Sequence, residues 1–360
     1  MSTVYTPRVG VVGVGYWGSK HARVLHTVDG VASVALIDSR EDRLRPLLRM
    51  FPSGSAFTSL EAALPHVDAV VVATPPTTHV PLALRAIAAG KHVLVEKPLA
   101  TTAAGARELI DAAAEHDVLL MAGHTFEYNS AVRRLRELVQ SGDLGEIYYI
   151  DSARLNLGLY QSDVNVMWDL APHDISIVNL LMGRQPTSAR AWGRRHANHR
   201  FEDVVYLQMD YDDVGVSANI HVSWLDPCKV RRVTVVGSRK MAVYNDLAAE
   251  ERIRVHDKSV SCLFGEADLT QPPTSYRYGD ITAPFLPAEE PLAVQDGHFV
   301  ECITTGSPCR TDGRSGLAVI EVLEAAQASL DSGGRPAYLS DRSHTLDDAL
   351  AGIPGFGAAS

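Results

Sequence analysis

A glycine-rich turn between an apolar run and an amphipathic one constrains this chain more than any other feature. Arg8 to Val12 reads as a short buried strand, Gly18 to Val28 as a helix, and Gly13-Val14-Gly15-Tyr16-Trp17-Gly18 joins them. A strand that enters a helix through G-x-G-x-x-G is the pattern of a dinucleotide-binding turn. Gly13 permits the tight turn, Gly15 lets the backbone approach a pyrophosphate, and Gly18 lets the helix pack closely on the strand. The helix N-terminus then faces the phosphate charge. Tyr16 and Trp17, inside the turn, are candidate cofactor contacts.

The alternation continues. Ala32 to Ile37, Asp68 to Ala73, His92 to Val95 and Val118 to Ala122 read as further strands, with helices from Val80 to Ala89 and Ala103 to His116. Strands apolar on both faces belong in a parallel sheet covered by helices on both sides, an α/β, doubly wound Rossmann arrangement. Asp38 ends the second strand, 20 residues after Gly18. A carboxylate there accepts hydrogen bonds from adenine-ribose hydroxyls and repels the extra phosphate of NADP, so NAD is the favoured cofactor. Ser39 adjoins it, and Arg40 is the residue that would pair with a 2'-phosphate instead. The third strand exits through Thr74 and Pro75, placed to border the nicotinamide ribose. His79 belongs to the same candidate set, although it reads more simply as a polar residue of the next helix's first turn. The fourth strand exits through Glu96-Lys97-Pro98, which sets an ammonium at the cofactor edge of the sheet.

After Gly123 the pattern changes, which divides the chain into a dinucleotide-binding domain over 1–123 and a substrate-binding and oligomerisation domain over 124–360. Helices are expected at Ser130 to Gln140 and Trp168 to Leu181. Strand-like stretches fall at Glu146 to Asn156 and near 187–194, 204–211, 214–223, 230–236 and 240–245, with a turn at Asp212-Asp213. So many strands in succession predict an α+β domain with one large, mostly antiparallel open sheet. Its open face needs a cover, which helices or a second copy of the chain would supply, and a homodimer or homotetramer is expected. The proline-rich segment 264–291 reads as a long loop, two helices follow near 292–304 and 314–331, and the tail after Gly352 reads as frayed.

Three motifs in this order, Gly13-x-Gly15-x-x-Gly18, Glu96-Lys97-Pro98 and Asp169-x-x-x-His173, resemble the glucose–fructose oxidoreductase, inositol dehydrogenase and rhizopine-catabolism (Gfo/Idh/MocA) family. The resemblance covers nearly the whole chain. It implies that Lys97 lies near substrate and nicotinamide, that Asp169 and His173 form the substrate-domain pair, and that His173 transfers the proton. It implies that Asn129, a candidate substrate contact, holds a polar position at the domain junction and that the large sheet forms dimers or tetramers. Trp168-Asp169-Leu170-Ala171-Pro172-His173-Asp174 resembles the branch that oxidises or reduces nucleotide-linked hexoses at C3, on the way to amino sugars. Val166-Met167-Trp168 stands where many members have glycines, which leaves substrate detail open.

Read without the resemblance, Asp169 and His173 share a face if they lie on one helix. Pro172 then requires that the helix has just begun. An imidazole titrating near neutrality suits proton exchange with a carbinol oxygen. Tyr160, shortly before, reads equally as a sugar contact or a turn-packing residue. Lys229, Arg231 and Arg232 read as alternating strand residues, and Asp174 as a cap or salt-bridge partner. A net charge of -10 argues against nucleic acid as a partner. No apolar run reaches the roughly 18 residues of a membrane helix. The opening Met-Ser-Thr-Val lacks a secretory pattern, and the four cysteines (Cys228, Cys262, Cys302 and Cys309) are scattered. A cytoplasmic protein is the expectation. The 14 histidines form no metal-binding signature, so no metal is expected. The expected activity is hydride exchange between NAD(H) and a secondary alcohol or ketone of a sugar or nucleotide sugar. The alternatives are a cyclitol or free-sugar dehydrogenase, a glycoside hydrolase or epimerase with transient oxidation, and a non-enzymatic regulator.

Overall fold

The computed structural model describes residues 5–197, 199–262 and 274–339. The elements through Gln140 are β1 (Arg8–Val12), α1 (Tyr16–Leu25), β2 (Ser33–Ile37), α2 (Glu41–Met50), β3 (Ser55–Phe57), α3 (Leu60–Ala63), β4 (Ala69–Val72), α4 (His79–Ala88), β5 (His92–Glu96), α5 (Ala103–Glu115), β6 (Leu120–Gly123) and α6 (Ser130–Gln140). Then come β7 (Ile147–Leu157), α7 (Val166–Met182), β8 (Ser188–Arg194), β9 (Val204–Tyr211), β10 (Val216–Ser223), β11 (Leu225–Gly237), β12 (Met241–Asn245), β13 (Ile253–Cys262), β14 (Thr274–Thr282), α8 (Pro291–Thr305), α9 (Gly313–Asp331) and β15 (Ala337–Tyr338).

Two compact units result. The first takes residues up to Tyr128 together with Glu289–Glu321; the second takes Asn129–Ala288 and 322–339. A division at residue 123 leaves out the return of α8 to the first unit. The physical reason is packing: Phe299 and Val300 are buried in the same apolar cluster as Val9, Val11, Leu25 and Leu36.

The first unit holds a six-stranded sheet in the order β3-β2-β1-β4-β5-β6. Every pairing is parallel. Val70, Val71, Val72, Val93, Leu94 and Val95 are fully buried, as a sheet covered on both faces requires. β3 and α2 carry no strong sequence signal, because α2 is highly charged and buries only Leu44.

The second unit holds a nine-stranded sheet in the order β14-β13-β12-β11-β7-β10-β9-β8-β15. β7 and β10 pair in parallel and the other neighbours are antiparallel. β9 shows how one face is committed: Val205, Leu207, Met209 and Tyr211 are buried while Tyr206 is exposed. α6 and α7 lie against the buried face. Segment 264–291 is not simply a loop, because it contains β14, which pairs with β13. Residues 275–280 are exposed on both sides, so no apolar alternation marks the strand. Residues 263–273 and the tail after Gly352 lie outside the described residues.

Candidate active site

Strand register builds the first half of the site. Val12 lies opposite Ile37 and Val72, Val72 opposite Val95, and Glu96 opposite Gly123. The residues that follow, Gly13, Asp38, Ala73, Lys97 and His124, therefore stand along the carboxyl end of the sheet. The strand order reverses between β1 and β4, and that switch point is where α/β sheets take ligands. A cavity of about 670 Å³ opens there, within the size range of cofactor sites. Gly13, Gly15, Tyr16, Trp17, Asp38, Ser39, Thr74 and Pro75 all line it.

The glycines behave as a dinucleotide turn demands. Gly13 has φ +82, and a Cβ there would lie 2.6 Å from Thr74 Cγ2. A Cβ on Gly18 would lie 1.8 Å from the Gly13 carbonyl oxygen, so α1 and the turn touch backbone to backbone. A Cβ on Gly15 would meet nothing within 4 Å. Gly15 thus borders open space at the N-terminus of α1, the cradle a pyrophosphate fills. Asp38 is 7% exposed, accepts from the Val14 amide at 3.0 Å through Oδ2, and accepts from the Arg40 amide at 3.0 Å through Oδ1. Arg40 itself turns to Asp42. Arg43 and Arg85 line the cavity, and Arg43 Nη1 lies 3.6 Å from Asp38 Oδ2.

Gly18, His79, Glu96 and Lys97 are not among the residues that line this cavity. The buried Glu96 lies 2.9 Å from His21 Nε2 and accepts from the Lys97 amide at 3.1 Å. His21 Nδ1 lies 3.0 Å from Asp296 of α8. Burial works against the imidazolium, but Asp296 and Glu96 outweigh it and raise His21 to about 10. A cation clamped between two buried carboxylates thus holds the strand end that delivers Lys97. The Lys97-Pro98 bond is cis. His79 is a buried strut: its ring nitrogens meet the carbonyls of Pro98 at 2.8 Å and Thr74 at 2.8 Å. His124, at the end of β6, is a residue that sequence reasoning missed. It is 1% exposed, and neither ring nitrogen has a hydrogen-bond partner among the described residues. Burial lowers its imidazole to about 4, with Glu96 opposing and Lys97 adding to the shift. A polar residue directly after a buried parallel strand was the available signal.

The second unit carries the other motif on α7. Asn165 caps this helix by accepting from the Trp168 amide at 3.1 Å. The helix starts at Val166, before the expected Trp168, so Pro172 sits in its second turn and not at its start. There it withholds the amide that would bond the Trp168 carbonyl. Asp169 and His173 fall on one helical face. The Trp224 indole N–H donates to Asp169 Oδ2 at 3.1 Å, from a ring that is 1% exposed. Tyr160 packs on that ring at 5.2 Å and donates to Asp203 at 3.4 Å. Asp203 is fully buried and accepts from the amides of His196 at 2.9 Å and Ala197 at 2.7 Å. Asn129 is spent inside the unit: it caps α6 by accepting from the Ala131 amide at 2.9 Å and donates to Tyr244 at 3.2 Å. Asp174 pairs with Arg154 at 2.6 Å.

The pattern described as "Oxidoreductase family, NAD-binding Rossmann fold" (GFO_IDH_MocA) matches residues 7–124, and "GFO/IDH/MocA C-terminal domain" matches residues 132–243. Together they span more than half of the 360 residues. The chain belongs to the GFO/IDH/MocA oxidoreductase family. It is an NAD(P)-dependent dehydrogenase or reductase with NAD as its cofactor, and the residues around the cavity fit that group. UDP-N-acetylglucosamine 3-dehydrogenase of Acidithiobacillus ferrooxidans is 28% identical over 90% of this chain and 98% of its own. Inositol 2-dehydrogenase of Acidiphilium cryptum is 32% identical over 62% of this chain and 71% of its own. Among solved structures, GenD2 from gentamicin A biosynthesis, in complex with NAD, superposes with a TM-score of 0.77 at 26% identity. That match covers 94% of this chain and 98% of that one. No helix among the described residues is long and apolar enough to cross a membrane.

Proposed function

We propose that this GFO/IDH/MocA oxidoreductase exchanges a hydride between NAD(H) and the C3 carbon of a nucleotide-linked hexose, in the cytoplasm. The observation that carries the reading is the α7 pair: a carboxylate held by a buried indole, one helical turn from an imidazole. Such a pair serves a hydroxyl-rich substrate, because one group binds a neighbouring hydroxyl while the other exchanges a proton. The choice of a nucleotide sugar and of C3 is supported by the match to UDP-N-acetylglucosamine 3-dehydrogenase along nearly its full length.

The roles follow from chemistry. The bound dinucleotide supplies the hydride acceptor or donor. His173 takes the proton of the reacting hydroxyl on oxidation and returns it on reduction. Lys97 stabilises the charge that develops on the same oxygen. Asp169 binds an adjacent hydroxyl and orients the imidazole, and Tyr160 borders the sugar. The first unit holds the cofactor through Gly13, Gly15, Asp38 and Thr74. The second unit recognises the sugar and assembles the oligomer through the open face of its sheet. There Trp192, Tyr206 and His221 stack at 4.6 Å and 4.0 Å.

A second reading, oxidation of a cyclitol, rests on the match to inositol 2-dehydrogenase. One panel separates the two: free sugars, inositols and UDP- or TDP-hexoses, each with NAD and with NADP, followed by the absorbance of the reduced cofactor. Turnover that requires the nucleotide supports the C3 reading. Equal turnover of an inositol alone overturns it. Product without net reduced cofactor reassigns the chain to transient oxidation.

A further inference from the structure

A cluster of soft donors lies in the first unit, outside the proposed reaction. His298 and Cys302 are four residues apart on α8, so they share a face. Gly306 ends the helix with φ +69, and the chain turns back through Pro308 to Cys309. The metal-ligating atoms of His298, Cys302 and Cys309 all lie within 4.8 Å of one another. Cys302 Sγ is 3.4 Å from His298 Nε2 and 3.8 Å from the Pro308 carbonyl oxygen. Cys302 and Cys309 are 5% and 7% exposed, and both are free thiols. The His298 side chain is 11% exposed.

The Cys302 Sγ–His298 Nε2 distance matches an edge of a tetrahedron. Zinc bonds of about 2.3 Å to sulfur and about 2.0 Å to nitrogen set those two ligands roughly 3.5 Å apart. The spacing, His-x-x-x-Cys followed by a cysteine beyond the helix end, follows no familiar zinc signature. The cluster is made by the fold, with no motif in the sequence to announce it.

We propose that His298, Cys302 and Cys309 bind one structural zinc ion. Two thiolates and an imidazole select a soft or borderline ion over magnesium or calcium. The charge balances: both thiols ionise, two protons leave, and the divalent ion is neutralised by two thiolates. The Pro308 carbonyl or a water completes the fourth position. The Arg310 amide now donates to His298 Nε2 at 3.1 Å, and that bond is exchanged for the metal bond. The ion ties the end of α8 to the segment that leads into α9. Since α8 also carries Asp296, the same staple steadies the carboxylate that grips His21.

The test uses the full-length protein, expressed with added zinc, passed over a chelating resin and assayed for metal. The expected result is one zinc per chain, lost in Cys302→Ser and in Cys309→Ser while NAD binding persists. Cobalt(II) added to metal-free wild type should give a thiolate-to-metal charge-transfer band, a readout that needs no variant to fold. A wild type that takes up neither zinc nor cobalt overturns the proposal. So does a Cys302→Ser/Cys309→Ser double variant that retains the metal, or a Cys302–Cys309 disulfide in the protein as isolated.

Discussion

His21 shows how burial and charge are balanced one residue at a time. Its imidazole is fully buried and charged only because Glu96 and Asp296 hold it from both sides. His21→Gln removes the cation and leaves two carboxylates facing each other, a loss of about 3–5 kcal/mol in unfolding free energy. The pH dependence has a definite sign. The folded value near 10 lies above the ordinary 6.5, so the contribution is complete below about 6.5 and is lost as pH rises through about 10. Denaturant unfolding at neutral and alkaline pH checks this, and the alkaline loss should be smaller in His21→Gln. Trp224 is the matching case in the second unit. Trp224→Phe keeps most of the ring but deletes the N–H on Asp169, a hydrogen bond to charge of about 1.5–3 kcal/mol. The expected outcome is a fall of about 10- to 150-fold in kcat/KM with the fold retained. An unchanged kcat/KM would show that Asp169 does not depend on the indole. At this scale the sequence was legible wherever chemistry is local. Gly13, Gly15 and Asp38 meet in one cavity because a single strand–turn–helix unit and its neighbour place them. His21 and Asp296 are 275 residues apart, and no spacing rule joins them. Asn129 reads in the sequence as a candidate substrate contact because capping and recognition use the same side chain; in the fold it caps α6.

Helices and strands set what those residues can reach. The turn into α1 offers a clean comparison. Gly15→Ala adds a methyl group to open space, so the protein should unfold at the wild-type temperature while NAD binding weakens. Gly18→Ala drives a methyl group into the Gly13 carbonyl, so it should lower the unfolding temperature, with or without cofactor. Thermal unfolding with and without NAD, beside fluorescence titration, separates the two effects; equal behaviour of both variants contradicts the assignment. The parallel strands were readable because both their faces are buried and their sequences are uniformly apolar. α2 and β14 were not, since a helix with one buried residue and a strand exposed on both sides leave no periodic trace. The start of α7 differs for another reason. Pro172 favours a helix that has just begun, whereas the Asn165 cap starts the helix earlier and the proline is accommodated in its second turn.

The whole molecule divides its tasks between two sheets. The parallel sheet offers its carboxyl edge to the dinucleotide, and the nine-stranded sheet buries one face under helices and leaves the other open. Trp192 is 55% exposed on that open face, beside Tyr206 and His221. In the proposed oligomer a second copy covers this exposed aromatic stack. Trp192→Glu should shift sedimentation from oligomer to smaller species, and an unaltered sedimentation coefficient would place the interface elsewhere. In the proposed reaction, proton exchange by His173 accompanies hydride transfer on a nucleotide sugar. The decisive measurement is single-turnover reduction of NAD by His173→Ala, with its NAD affinity measured in parallel. The expected result is unchanged affinity and a rate about 10²–10⁴-fold below wild type. Hydride transfer at the wild-type rate would contradict it.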